Sequence, residues 1–243
     1  MDAKWNLNTV LEFRSRNSLV NHEETSFFFR ERRFASNGPS FLTSKQVYGS
    51  IQMRFQPGAS WRRYNGSRRL SNESGPTISG IYEQALGNDA YSKISFQISQ
   101  RIPLANWGEF TYRITAAHFI NKPSLIVDYQ HFKGNEINVS SGDYSFLALP
   151  YYALSNPGDH LKAFLIWEPR KFILTQNAFL SLYGLKEKVG YSYLQTSVNA
   201  QTVHYQELTY GLTGIGKIFG IDLVYPMGKV VPEKWKVLVR LPF

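Results

Sequence analysis

The chain has 243 residues, no cysteine, and 27 Lys and Arg against 18 Asp and Glu, a net charge of +9. A disulfide framework and thiolate metal sites are thereby excluded, and no run approaches the 18 consecutive apolar residues of a transmembrane helix. Aromatic residues reach 15%, with 15 Tyr and 17 Phe, so the pattern in which they fall carries much of the reading.

From the N-terminus, MDAKWNLNTV lacks the basic start and apolar stretch of a signal peptide; an exported chain would then be part of a longer precursor. Trp5, Leu7, Thr9, Leu11 and Phe13 alternate with Lys4, Asn6, Asn8, Glu12 and Arg14. Successive side chains of a strand leave opposite faces, so a period of two predicts a strand. The same alternation predicts strands over 47–56, 94–102, 110–120, 188–193, 219–225 and 235–243, with weaker candidates near 19–30, 77–86, 143–154, 159–168 and 203–212. The stretch 124–130 reads as loop, longer loops are expected at 57–76 and 121–142, and a short helix fits 170–185. Turn chemistry separates the strands, as in Ala105-Asn106-Trp107-Gly108, Asn156-Pro157-Gly158 and Pro226-Met227-Gly228. No repeat and no domain boundary interrupts 1–243.

The fold class is therefore all-β, with about twelve strands, most of them about ten residues long, the length of a tilted strand that crosses a bilayer. In the best strands the second face is Ser, Thr, Gln, Asn, Gly, Arg and Lys, which suits a wet or plugged lumen. Trp5, Phe13, Phe110, Tyr112, Tyr225, Trp235 and Phe243 fall toward strand ends, as interfacial aromatics do. The expected architecture is an antiparallel transmembrane β-barrel. In the last strand Trp235, Val237, Val239, Leu241 and Phe243 form the expected lipid face, opposite Lys236, Leu238, Arg240 and Pro242. Phe243 is expected to serve also as the membrane-insertion signal.

The basic excess clusters at Arg30, Arg32 and Arg33 and at Arg62, Arg63, Arg68 and Arg69. These are solvated loop residues or contacts for anionic lipid or a partner; they follow no helix face, and nucleic acid is not expected. "GLTGIGK", Gly211 to Lys217, resembles a phosphate-binding loop. Ile218 follows where Ser or Thr would ligate Mg²⁺, and a strand follows where a helix would be needed; it reads as a turn. His22, His118, His131, His160 and His204 are scattered, with no His-Glu-x-x-His spacing. Glu207, Glu168 and Asp222 read as lumen or rim carboxylates paired with basic side chains. No catalytic, cofactor or metal site is expected, and no cofactor.

The segments "YQELTYGLTGIGKIFGIDLVY" (Tyr205 to Tyr225), "ILTQNAFLSLYGLKEKVGYSYL" (Ile173 to Leu194), "PSLIVDYQHFKGN" and "YSFLALPYYALS" carry a resemblance. Residues 45–243 are similar to the C-terminal outer-membrane barrel region of Bacteroidota carboxypeptidase-regulatory-like-domain proteins of unknown function. The resemblance implies a barrel in the Gram-negative cell outer membrane and no known activity, in a chain that is either the C-terminal part of a longer barrel protein or a short, divergent member.

The expected function is an integral outer-membrane protein with a transport, assembly or scaffold role. Its expected partners are the lipid bilayer, lipopolysaccharide, the insertion machinery and other envelope proteins. Two alternatives stay open: a barrel enzyme acting on lipid or envelope substrates, and a soluble basic β domain binding an acidic partner.

Overall fold

The computed structural model of the chain describes residues 4–16, 43–57, 60–72, 75–135, 139, 142–198, 201–215, 219–228 and 230–240. They form one antiparallel sheet of ten strands in the order β1-β2-β5-β6-β7-β8-β9-β10-β11-β12, with a separate hairpin β3-β4. The strands are β1 (Lys4–Arg16), β2 (Ser44–Gln56), β3 (Ser60–Tyr64), β4 (Ser67–Asn72), β5 (Thr77–Gly87), β6 (Tyr91–Pro103), β7 (Glu109–Asn121), β8 (His160–Glu168), β9 (Lys186–Val198), β10 (Gln201–Ile215), β11 (Phe219–Met227) and β12 (Lys236–Arg240). A five-residue α-helix, α1 (Ala178–Leu182), is found where the short helix was expected.

Neighbours in the sheet follow one another in sequence apart from the β3-β4 excursion. Every neighbouring pair is antiparallel, so no crossover connection is required. Phe55 aligns with Ile78, Ile78 with Ile98, Ile98 with Ile114 and Ile114 with Ala163. One register thus carries apolar residues across five strands on one face, here called outer. Trp5, Leu7, Leu11, Ile51, Met53, Phe96, Ile120, Leu208, Leu223 and Val237 lie on it and are exposed.

The inner face is covered by the long connection between β7 and β8, residues 122–159. Phe132, Phe146, Leu149 and Leu154 from this connection form a core with Phe164, Leu194 and Tyr205 of the sheet. Leu147 and Ala148 pack with Val224 and Leu238. The same connection reaches both edge strands: Asp128 bonds Arg16 of β1 at 2.9 Å, and the Asn135 carbonyl accepts from Lys236 of β12 at 3.1 Å. Seven residues span at most about 25 Å, whereas ten flat strands would hold their edges about 43 Å apart. The sheet is consequently curled around the 122–159 connection. Among the described residues it does not close: β1 pairs only with β2 and β12 only with β11, apart from a bridge from Val139 to Val239.

Three expectations are corrected. The 143–154 stretch is not a strand but part of the inner filling, because its apolar side chains supply the core that the polar inner strand faces lack. The 57–76 loop carries the β3-β4 hairpin, turned by Asn65 (φ 47°) and Gly66 (φ 77°), the Asn-Gly pair suited to a two-residue hairpin turn. The sheet is open where a closed barrel was expected, since β1 and β12 do not meet. The weak candidate at 19–30 lies outside the described residues.

Candidate functional site

The inner face of β10 reads Tyr205, Glu207, Thr209, all buried, and Glu207 is 0% exposed. A lone buried carboxylate is costly unless its oxygens are satisfied. Here Glu207 accepts from three consecutive backbone amides of the filling segment: Leu147 at 2.7 Å, Ala148 at 2.7 Å and Leu149 at 3.2 Å. The Tyr205 hydroxyl donates to the same carboxylate at 2.6 Å. The expected basic partner is replaced by backbone amides, which have no ladder to bond to because the segment is not a strand. Glu207 is thus the clasp that holds the filling against the sheet.

A second clasp is ionic. Asp143 of the filling meets Lys188 of β9 at 2.6 Å and Arg240 of β12 at 2.8 Å, and Arg240 bonds Asp222 of β11 at 3.0 Å. Small residues leave room around it: Gly142, Ser145, Gly190, Ser192 and Thr209 line a narrow cleft beside these charges. A side chain at Gly211 would meet the Asp222 carboxylate at 2.5 Å, so this position of β10 must stay bare. At the far end of the sheet Asp128 bonds Arg16 and Gln46, each at 2.9 Å. Asp89, in the β5-β6 turn, accepts from the Ser124 amide and hydroxyl, both at 2.7 Å, and from the Leu125 amide at 3.0 Å.

Burial alone would raise the carboxyls of Asp89 and Asp143, but their partners outweigh it. Bonds from Ser124 and Leu125 hold Asp89 below its ordinary range, and Lys188 and Arg240 do the same for Asp143. A carboxyl depressed on folding stabilises above its unfolded value and loses that contribution as pH falls through the folded value. The unfolded value is about 3.9. The 122–159 connection is therefore expected to stay docked from neutral pH down to about pH 4 and to loosen on further acidification. Hydrogen exchange at Ser124 and Leu125 measured against pH checks this; protection unchanged well below that pH would contradict it.

On the outer face, at the end of β9, Glu187 holds the 169–185 connector. It accepts from the amides of Ile173 at 3.1 Å, Leu174 at 3.0 Å and Thr175 at 2.9 Å, and from the hydroxyls of Thr175 and Tyr210. Asn177 caps α1 by accepting from the Phe179 amide at 2.9 Å. The connector so pinned presents Ile173, Phe179, Tyr183 and Leu182, the last 86% exposed. Exposed Trp107 lies at the same end of the sheet, its carbonyl taking a bond from the Trp167 indole at 3.0 Å.

Val237 and Val239 of β12 and Trp235 just before it are exposed, while Leu238 is 0% exposed beneath the filling. Lys236 and Arg240 face inward to Asn135, Leu147, Asp143 and Asp222. Leu241 and Phe243 lie outside the described residues, as do Arg30, Arg32 and Arg33. The β3-β4 register pairs Arg62 with Arg69 and Arg63 with Arg68, which brings one basic cluster to two adjacent cross-strand positions. Gly211 to Ile215 of "GLTGIGK" form the end of β10, with Ile215 opposite Phe219 of β11, and Gly216 and Lys217 lie outside the described residues.

The described histidines stay apart. His118 meets Asp159 at 2.7 Å, His204 meets Tyr193 at 2.9 Å, and His160 is buried against Phe132. Among the described residues no group of three or more His, Asp or Glu could hold a metal ion. The sequence reading missed one contact: His131 Nδ1 lies 2.8 Å from the Ser155 hydroxyl. The pair sits beside the Gln130–Asn156 bridge, and burial pushes the His131 imidazolium below its ordinary range. A neutral ring that accepts from Ser155 ties two limbs of the filling together.

No curated protein and no solved structure matches the chain. The model of a C-terminal domain from a family of unknown function, DUF5686, matches residues 1–212, and the chain belongs to that family.

Proposed function

We propose that the chain builds the wall of an outer-membrane β-barrel whose interior it fills itself, and that it acts as a scaffold or assembly platform rather than as an open pore. One observation carries the reading: the two faces of the sheet are inverted relative to a water-soluble protein. On the inner face Glu207, Asp222, Thr196 and Thr209 are buried, while Trp5, Leu7, Leu11, Phe13, Phe96 and Ile120 on the outer face are exposed. Large contiguous apolar surface on a protein meets lipid or another protein. Here it extends along strands of up to 15 residues, long enough to span a bilayer when tilted. Aromatic pairs at strand ends, Trp5 with Phe55 and Tyr225 with Trp235, fit the interfacial girdles of such walls.

On this reading the protein resides in the outer membrane of a Gram-negative bacterium, as the resemblance to the Bacteroidota barrel proteins implies. The lipid face of the last strand runs through Trp235, Val237, Val239, Leu241 and Phe243, and Phe243 is read by the insertion machinery. The basic hairpin with Arg62, Arg63, Arg68 and Arg69, together with Arg30, Arg32 and Arg33, contacts anionic lipid, lipopolysaccharide or a neighbouring envelope protein. The clasps at Glu207 and Asp143 favour a filled interior, and with it a scaffold role over transport.

Fractionation tests the membrane reading. The protein is expected to remain in the membrane pellet through an alkaline carbonate wash and to require detergent for release; a chain that stays soluble and monodisperse without detergent overturns it. In planar bilayers the intact protein is expected to be electrically silent, and steady conductance would overturn the filled-scaffold reading while leaving the membrane reading intact.

A further inference from the structure

The inner-face cations that are not exposed are, with two exceptions among the described residues, matched by acceptors. Arg16 meets Asp128, Lys93 meets Glu83, Lys188 meets Asp143, and Arg240 meets Asp143 and Asp222. Arg14 meets Glu12, and Lys236 donates to two carbonyls. Lys162 of β8 and Arg113 of β7 have no carboxylate partner among the described residues. Arg113 lies over the Tyr144 ring at 3.5 Å, and its buried Nε has no hydrogen-bond partner.

These two residues are neighbours. Thr115 stands opposite Lys162 in the β7-β8 register, so Arg113 is diagonal to it on the same face. Gln97 stands opposite Thr115 on the next strand, and Ser95 lies two residues before it. The charges of Lys93 and Arg113 bear on Lys162, and those of Lys162, Lys93 and, with opposite sign, Asp159 bear on His160. The Nδ1 of His160, buried two residues from Lys162 on β8, is also without a partner. Like charges gathered on a half-buried surface repel, and a buried charge without a counter-charge is costly. The register brings hydroxyl, amide, ammonium and guanidinium donors to neighbouring positions of one face, and no carboxylate of the described residues bonds Lys162 or Arg113.

We propose that the inner face of β6, β7 and β8 binds a tetrahedral phosphate-class oxyanion, held by Lys162 and Arg113 with Thr115, Gln97 and Ser95 beside them. Lys162 supplies the point charge and Arg113 a fork that matches paired phosphate oxygens. Tyr144 and Phe132, from the filling segment, flank Arg113 and His160, so the site depends on the filling being in place. The inference concerns the inner face and does not depend on what covers the outer one. The phosphate belongs either to a lipid headgroup drawn into the interior or to a free anion, and the test separates the two.

The full chain, purified in a zwitterionic detergent and stripped of lipid, is titrated with inorganic phosphate while its thermal midpoint is followed, with chloride at matched ionic strength as the control. The midpoint is expected to rise in a saturable manner with phosphate and not with chloride. Lys162→Met keeps the aliphatic stem and removes the charge; its apparent phosphate affinity is expected to fall at least about tenfold. Its midpoint without phosphate should equal or exceed that of the parent, since an unneutralised charge is gone, and this separates loss of binding from loss of folding. A rise with inorganic phosphate assigns a free anion. A rise only when phosphatidylglycerol is added to the micelles, absent in Lys162→Met, assigns a lipid headgroup. No response to either, or equal responses in the parent and Lys162→Met, overturns the site.

Discussion

A Glu207→Ala chain is expected to lose the docking of the filling segment and to melt well below the parent. The substitution strips the acceptor from three buried amides, those of Leu147, Ala148 and Leu149, and from the Tyr205 hydroxyl. Each buried donor left unsatisfied costs about 1–3 kcal/mol. Even at the low end the amides together lose about 3 kcal/mol, a large share of a net stability of about 5–15 kcal/mol. For a chain of this size that corresponds to a drop of about 6–12 °C in melting midpoint. Hydrogen exchange localises the effect: protection at 147–149 should collapse first, with the β9-β10 ladder persisting. Glu207→Gln retains one acceptor oxygen and should fall between the two. If the amides at 147–149 remain protected in Glu207→Ala, the clasp is not what holds the filling.

The second large effect separates lipid from water on the outer face. Phe96 lies at the middle of β6, 56% exposed, between Gly80 and Ala116 of its neighbours. Arginine at an exposed site on a soluble domain usually changes stability by less than about 0.5 kcal/mol. At the mid-depth of a barrel's lipid face it costs about 2–4 kcal/mol. Phe96→Arg is therefore expected to reduce sharply the fraction that reaches the folded, heat-modifiable form in the membrane. Gln52→Arg, on the inner face of β2, is the matched control and should assemble normally. Equal yields from the two variants, or greater solubility of Phe96→Arg in water, would rule out a lipid-facing wall.

Much of the sheet can be read from alternation alone, because a strand with two different environments writes its period into its side chains. Val47, Ile51 and Met53 against Gln46, Tyr48 and Gln52 is enough to give β2 and its sidedness. The same reasoning places Asp222 with a basic partner, since on an antiparallel neighbour Leu238 stands opposite it and Arg240 lies two residues along. Where a strand was predicted at 143–154, the apolar residues are real but serve another purpose. "YSFLALPYYALS" alternates only in part, and Pro150 removes a donor that a central strand needs. What marks it as filling is the lack of enough apolar side chains on the inner strand faces, a deficit visible only once all the strands are laid side by side. Glu207 could not be matched to its partners for a related reason. Backbone amides are present at every position and leave no trace in a sequence, so a carboxylate that binds them looks like one awaiting a cation. The unpartnered pair Lys162 and Arg113 was equally hidden, since it exists only through the β7-β8 register.

The open edges set an arithmetic for the wall. With ten antiparallel strands in sequence, β1 and β12 run in opposite directions. They can therefore meet each other in antiparallel pairing, or admit further strands between them only in even numbers. A single extra strand would force one parallel pair, which a short turn cannot connect. If the sheet is the wall of a barrel, as proposed, its circumference would change in whole hairpins, and each hairpin added at the free edge of β1 would widen the ring without disturbing the clasps on β9 to β12. Size and interior become separable traits: one can vary by two strands at a time while the other keeps its chemistry.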